Sequence, residues 1–320
     1  MARRVSLSGC LLLGVALSFS APAGAVVMHP GGEMPAGFDR PSDQVVGRWS
    51  SNASFVVISP SFILTTRHQG TNPSTVVING VAYTTEYRNE WTGGPGASAG
   101  APGTADLRLV KLIGPDGQEA QLSEFASIYA GGDETAYGTE FVLGGYGRTR
   151  GANVYDSQGN LRGYAWSTGS GNNNLSLNWA TNRVNGTGTG TGTGSGYTSD
   201  VLLADFDPLG SGDSTLYEGI AAQYDSGGGW FVESDNQWYL VGLTRGVSMH
   251  PYNSPTWPVD GQSWFRPADA FDAVYVSSDA YRAWIDNIVA NLVPEPATAA
   301  LVIAGAGLLL IRRRARRFVR

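Results

Sequence analysis

The chain has 320 residues, 42% hydrophobic and 15% charged, with a formal net charge of −6. Such a length and apolar content support a sizeable core, and 44 glycines beside 9 Trp, 14 Tyr and 11 Phe favour many turns and short strands over helices. The acidic balance speaks against nucleic acid, which needs basic patches, and a single cysteine, Cys10, rules out a disulfide framework.

The two ends read as addresses. Arg3 and Arg4 precede an apolar run, Leu11 to Ala16, and the small-x-small site Ala23-Gly24-Ala25. Residues 1–25 are therefore expected to be a secretory signal that is removed, taking Cys10 with it. A retained anchor is the other reading, disfavoured by the short run and the cleavage site. At the far end, Val293-Pro294-Glu295-Pro296 leads into an apolar run, Ala297 to Ile311, then Arg312, Arg313, Arg314, Arg316 and Arg317. That run has 15 residues, against about 20 for a usual span, and the arginines would stay cytoplasmic. Residues 293–320 resemble the PEP-CTERM sorting signal of Gram-negative bacteria. A plain tail anchor accounts for the run and the arginines but not for Pro-Glu-Pro. The resemblance implies a transmembrane stretch with transient membrane association and processing by signal peptidase and an exosortase-type enzyme. The protein would be exported to the cell envelope or beyond. Without both ends the chain carries 13 basic and 26 acidic residues, a net charge of −13.

Val26 to Gly47 is rich in Pro and Gly and reads as an extended, peripheral lead-in. Strands are predicted at Phe55–Ser59 and Phe62–Thr65, separated by Pro60. Val76 to Tyr83 reads as a hairpin turning at Asn79-Gly80. Trp91 to Gly103 is a loop, Leu107–Leu112 a strand, and Glu140–Gly147 another. Gly186 to Gly196 alternates Gly with Thr or Ser and reads as a flexible surface loop. Strands resume at Val201–Ala204, Trp230–Val232 and Trp238–Leu243. Tyr281, Trp284, Ile285, Ile288, Val289 and Leu292 fall on one face of a closing helix, with Ser277 or Ser278 to cap it. The expectation is an all-β chain of two similar halves, about 26–150 and 151–292, with one C-terminal helix. Without βαβ alternation, a hydrolase with a Gly-x-Ser-x-Gly elbow is disfavoured.

The chain's chemistry centres on Asp225-Ser226-Gly227-Gly228-Gly229, where glycines let the backbone turn tightly and a substrate approach the hydroxyl. Ordinary turn residues are the plainer reading. A serine nucleophile needs a base, usually histidine. Of His29, His68 and His250, only His68 directly follows an apolar strand, a rigid place from which to aim an imidazole. Asp106, just before Leu107–Leu112, is the candidate acid to orient it.

Together these segments resemble the chymotrypsin/trypsin-like serine proteases over about residues 26 to 292. Phe62 to His68 is similar to the family's strand ending in Thr-Ala-Ala-His, and Asp106 to Leu112 to its Asp-Ile-Ala-Leu-Leu-x-Leu strand. Leu143-Gly144-Gly145-Tyr146-Gly147-Arg148-Thr149 is similar to its Gly-Trp-Gly-x-Thr segment, and Asp225 to Gly229 to its Asp-Ser-Gly-Gly-Pro. The resemblance implies two six-stranded antiparallel β-barrels with a C-terminal α-helix. It implies peptide-bond hydrolysis through an acyl-enzyme, on protein or peptide substrates, with no metal or cofactor. A protease-like envelope or matrix protein without turnover is the other reading. His68 would be the general base, Asp106 its partner and Ser226 the nucleophile, with the N–H groups of Tyr224 and Ser226 as the oxyanion hole.

The chain departs from that family at Gln69, where the family has Cys, and at Tyr224, where it has Gly. Ile220 would floor the specificity pocket, with no Asp there to attract Lys or Arg, so cleavage after apolar residues is the expectation. Thr244, Arg245 and Gly246 would form its wall, with Arg245 read as a solvated strand-edge side chain rather than as a contact for an acidic one. Finally, a freed Val26 amine, 42 residues before His68, would pair with Asp225. A start at Val45-Val46-Gly47 is the alternative.

Overall fold

The computed structural model describes residues 26–292 except 33, 52, 96–102, 157, 168–175, 193–195 and 248–263. The expected N-terminal signal, the expected sorting tail and His250 lie outside the described residues. Among those described, no helix is long and apolar enough to cross a membrane, which corrects the transmembrane expectation.

A short strand, β1 (Val27–Met28), opens the chain. The first sheet comprises β2 (Val46–Trp49), β3 (Ala53–Ser59), β4 (Phe62–Thr65), β5 (Thr75–Ile78), β6 (Val81–Glu86) and β7 (Arg108–Ile113). They bond in the order β2-β3-β4-β7-β6-β5, and β2 returns against β5 to close the sheet. β3, β4 and β7 are continuous apolar runs because both of their faces are buried, whereas β5 alternates and β6 is largely exposed. Phe55, Val57, Ile63, Val110 and Leu112 point into the closed sheet. Val56, Ile58, Phe62, Leu64, Leu107 and Leu109 point outward, against Phe231, Leu240, Leu243 and Val274 of the other half. The β5–β6 hairpin turns at Asn79 and Gly80, both at positive φ (49° and 76°), the geometry that Asn-Gly favours.

The remaining strands are β8 (Glu140–Gly145), β9 (Arg150–Tyr155), β10 (Leu161–Trp166), β11 (Asn178–Arg183), β12 (Gly186–Thr191), β13 (Thr198–Asp205), β14 (Gly219–Ile220), β15 (Gly229–Ser234), β16 (Gln237–Val247), β17 (Trp264–Phe265) and β18 (Ala270–Val274). Seven of them form a larger, open, curled sheet in the order β11-β8-β15-β16-β18-β13-β12. The expected second six-stranded barrel is thus corrected to a seven-stranded sheet with a separate β17-β10-β9 sheet beside it. One cause is β12, the Gly/Thr repeat expected to be a loop. It pairs with β13 along its whole length, from Gly186↔Leu203 to Thr191↔Thr198. The changeover between sheets falls between Ile113 and Glu140, because β8 already belongs to the second.

The lead-in is not peripheral at its start. Val26, Val27, Met28 and His29 are buried, and β1 pairs with β14. At the other end, helix α1 (Asp279–Leu292) buries Tyr281, Ile285 and Ile288 in the core shared by both halves. Each such buried side chain contributes about 1.5–3 kcal/mol. No serine side chain caps the helix. The Ser277 hydroxyl bonds with Glu134, and the Ser278 hydroxyl has no partner. The result is a mostly β protein, a closed six-stranded sheet beside a larger curled one with a C-terminal helix.

Candidate active site

β4 ends at Thr65, and a single 3₁₀ turn, Arg67–Gln69, carries His68 into the cleft between the halves. Asp106 precedes β7, which pairs with β4, so both residues leave neighbouring strands of one rigid sheet. Asp106 is only 2% exposed. Its Oδ2 lies 2.6 Å from His68 Nδ1, while its Oδ1 accepts the His68 main-chain N–H at 2.8 Å. The Asp106 N–H in turn donates to Ser199 Oγ at 2.8 Å. Two bonds to one carboxylate fix both the ring and its backbone. They also set the tautomer: Nδ1 carries the proton and Nε2 faces the cleft as an acceptor.

Ser226 stands across from it on the loop leading into β15, with Oγ 2.9 Å from His68 Nε2. The Ser226 carbonyl accepts from Ser54 N (2.8 Å), and the N–H of Gly227 donates to Thr244 O (2.8 Å). These bonds tie the serine to both sheets. Gly227 is required here. Its φ is +84°, and a Cβ would collide with the Ser54 carbonyl oxygen and sit 2.7 Å from Thr65 Oγ1.

Asp225 points away from the cleft and is buried. Its carboxylate accepts from Gly147 N (2.6 Å), Ala222 N (2.7 Å) and Val26 N (3.2 Å). Burial pushes its carboxyl up to about 7, against the pull of those three N–H groups. The glycine-rich end of β8 and the start of the chain therefore converge on the residue beside Ser226. Val45 and Val46, the alternative start, are buried instead at the entry to the first sheet.

Tyr224 has a φ of +81°, in the left-handed region where a side chain is disfavoured. The Arg148 guanidinium covers its ring at 5.1 Å, and Arg148 N donates to Gln223 O at 2.8 Å. Among the described residues, the N–H groups of Tyr224 and Ser226 make no main-chain hydrogen bond, and both residues line the cleft.

Of the residues expected to line a pocket, Thr244, Arg245 and Gly246 do line the cleft. Ile220 does not. It pairs with Val27 and is fully buried in the core of the second half, while Ala221 and Ala222 face the cleft in its place. The pairing of β1 with β14 draws Ile220 into that core. Arg245 is no solvated edge residue, since β16 lies inside its sheet and the guanidinium pairs with Asp272 of β18. Asp272 was not foreseen, because cross-strand register puts it beside Arg245 and no local pattern marks it. The sequence shows Gln69 only as a replacement for Cys, yet its Nε2 lies 2.7 Å from His68 Nε2 and competes with the serine hydroxyl for the same lone pair. His29 plays no part in the cleft; it is buried against Tyr164 and Phe206, with Nε2 2.7 Å from Asp207 O. Among the described residues, no group of His, Cys, Asp and Glu is placed to hold a metal.

No family model matches the chain. No curated protein matches it either. Among solved structures it is similar to Rv3671c of M. tuberculosis H37Rv in an inactive form, at 14% identity and a TM-score of 0.40, over 78% of this chain and 87% of that one. It is also similar to neuropsin, a serine protease expressed in the limbic system of mouse brain, at 14% identity and a TM-score of 0.45, over 78% of this chain and 97% of that one. Both likenesses are distant and partial.

Proposed function

We propose that this chain is a secreted serine endopeptidase working through an acyl-enzyme. The observation that carries this reading is the unbroken relay Ser226 Oγ to His68 Nε2 (2.9 Å) and His68 Nδ1 to Asp106 Oδ2 (2.6 Å). Ser226 Oγ attacks the peptide carbonyl carbon as its proton passes to His68 Nε2. Asp106 holds the imidazolium that forms. The tetrahedral oxyanion is received by the N–H groups of Tyr224 and Ser226. His68 then gives the proton to the departing amine, and the C–N bond breaks to leave the acyl-enzyme. A water molecule adds with its proton going to His68, and the acid product leaves as that proton returns to Ser226.

Export would itself switch the enzyme on. Cleavage after Ala25 frees the Val26 amine beside Asp225, giving the buried carboxylate a cationic partner. The φ of +53° at Val26 supports this: a β-branched residue is strained there within a chain, and the constraint disappears once Val26 is the first residue.

Two observations favour a second reading, a protease-like envelope or matrix protein without turnover. Gln69 occupies part of the His68 Nε2 lone pair, and Tyr224 sits strained at the oxyanion position. A fluorophosphonate probe separates the two. Labelling of the processed protein that vanishes in Ser226→Ala, with hydrolysis lowered about 10⁴-fold in His68→Ala, supports the enzyme. An unlabelled but folded protein supports the silent scaffold.

A further inference from the structure

The cleft that opens on Ser226 has a volume of about 1080 Å³, and its wall carries two opposed charges, Arg245 on β16 and Asp272 on β18. Arg245 Nη2 pairs with Asp272 Oδ2, and each side chain is only 16% exposed. β12 makes room for this arrangement. A Cβ at Gly190 would lie 2.6 Å from the guanidinium carbon, so the Gly/Thr strand packs directly on Arg245. The pair is thus a built part of the wall.

Its chemistry is unsaturated. Arg245 Nε and Asp272 Oδ1 are sealed from the cleft, and the main-chain N–H of Gly246 also supports the carboxylate, so a substrate meets the part of each side chain that stays exposed. A guanidinium offers five N–H donors and a carboxylate about four acceptor sites, so donors and acceptors remain side by side while the net charge is zero. A lysine or glutamate side chain entering this wall would match one member and oppose the other, leaving a buried charge uncompensated. An apolar group would strip water from both and satisfy neither. A primary carboxamide fits: its carbonyl accepts from Arg245 and its NH₂ donates to Asp272, with no charge added. Ala221, Ala222 and Gly246 line the cleft with little bulk, leaving a lane for an unbranched side chain.

We propose that the cleft selects a carboxamide side chain, glutamine ahead of the shorter asparagine, on the acyl side of the cleaved bond. This rests on Ser226 as the nucleophile, so the test keeps the two apart. Fluorophosphonate labelling of the wild-type protein reports on the nucleophile alone. Binding to the folded Ser226→Ala protein reports on the wall alone, using four peptides that differ only in Gln, Glu, Lys or Leu at that position. The Gln peptide is expected to bind at least tenfold more tightly than the other three. Equal or tighter binding of any of them overturns the proposal, whatever the labelling shows. Asp272→Asn is expected to move the preference to Glu, and Arg245→Gln to Lys, each by tenfold or more. Should either variant fail to fold, the wild-type ranking still decides.

Discussion

Adding one methionine ahead of Val26 tests the coupling between processing and the serine loop. In the structure Val26 is 2% exposed, its N atom is 3.2 Å from Asp225 Oδ2, and the next residue is held by pairing with Ile220. A protein beginning at Val26 places an ammonium against that carboxylate. The extended protein places a neutral amide there, and the buried acid loses its counter-charge. Removing one partner of a buried pair costs about 3–5 kcal/mol, roughly two to four decades in the population of the ordered loop. The assay is the rate of fluorophosphonate labelling, and of peptide hydrolysis, for both proteins at pH 7, with thermal melting to show that both are folded. The extended form is expected to react about 10²- to 10⁴-fold more slowly, and Asp225→Asn in the Val26-start protein should match it. Equal rates for the two starts would remove the amine from the mechanism and refute the role given to Asp225.

Two further outcomes follow from the same loop. Gly227→Ala introduces a Cβ against the Ser54 carbonyl at φ +84°, so it should lower stability by about 2 kcal/mol or more and abolish labelling; a variant that melts and labels normally would contradict the geometry. In the extended form, the Asp225 carboxyl stands at about 7, above its ordinary 3.8. The folded state then holds a proton that the unfolded state has released. Its stabilising contribution is complete below about pH 4 and is lost as pH rises towards about 7. Melting temperature should fall across that window, and Asp225→Asn should flatten the fall.

What was legible in the sequence was what burial writes into it. β3, β4 and β7 show as unbroken apolar runs because one face fills the closed sheet and the other meets the second half. Asn79-Gly80 and the stripe of α1 are local signals, and both stand where expected. His68 and Asp106 stand out because each adjoins such a strand, and Ser226 because three glycines follow it. β9 escaped notice because much of it is exposed and carries no alternation. β12 was misread because alternate glycines erase the side-chain pattern, and its pairing comes from β13. The Arg245–Asp272 pair and the burial of Val26 depend on partners 27 and 199 residues away, which no window of sequence reveals.

The two sides of the relay are held by different forces, and this bears on where control can act. His68 and Asp106 leave strands packed on both faces, and their mutual bonds use one carboxylate fully. Val26 packs in the core of the second half. Ser226 and Tyr224 lie on a loop fixed instead by polar contacts: Ser54 N, Thr244 O, and Asp225 with its three donors. Polar contacts around a buried acid depend on charge state, whereas apolar packing does not. If processing frees Val26 as proposed, it would act on the loop of Ser226 and Tyr224 while leaving the His68–Asp106 pair in place. On the proposed reading, a chain that keeps its leader holds the same contacts around Ser226, the Val26 N–H to Asp225 among them, but lacks the counter-charge to the buried acid, so it would be less active without being unfolded.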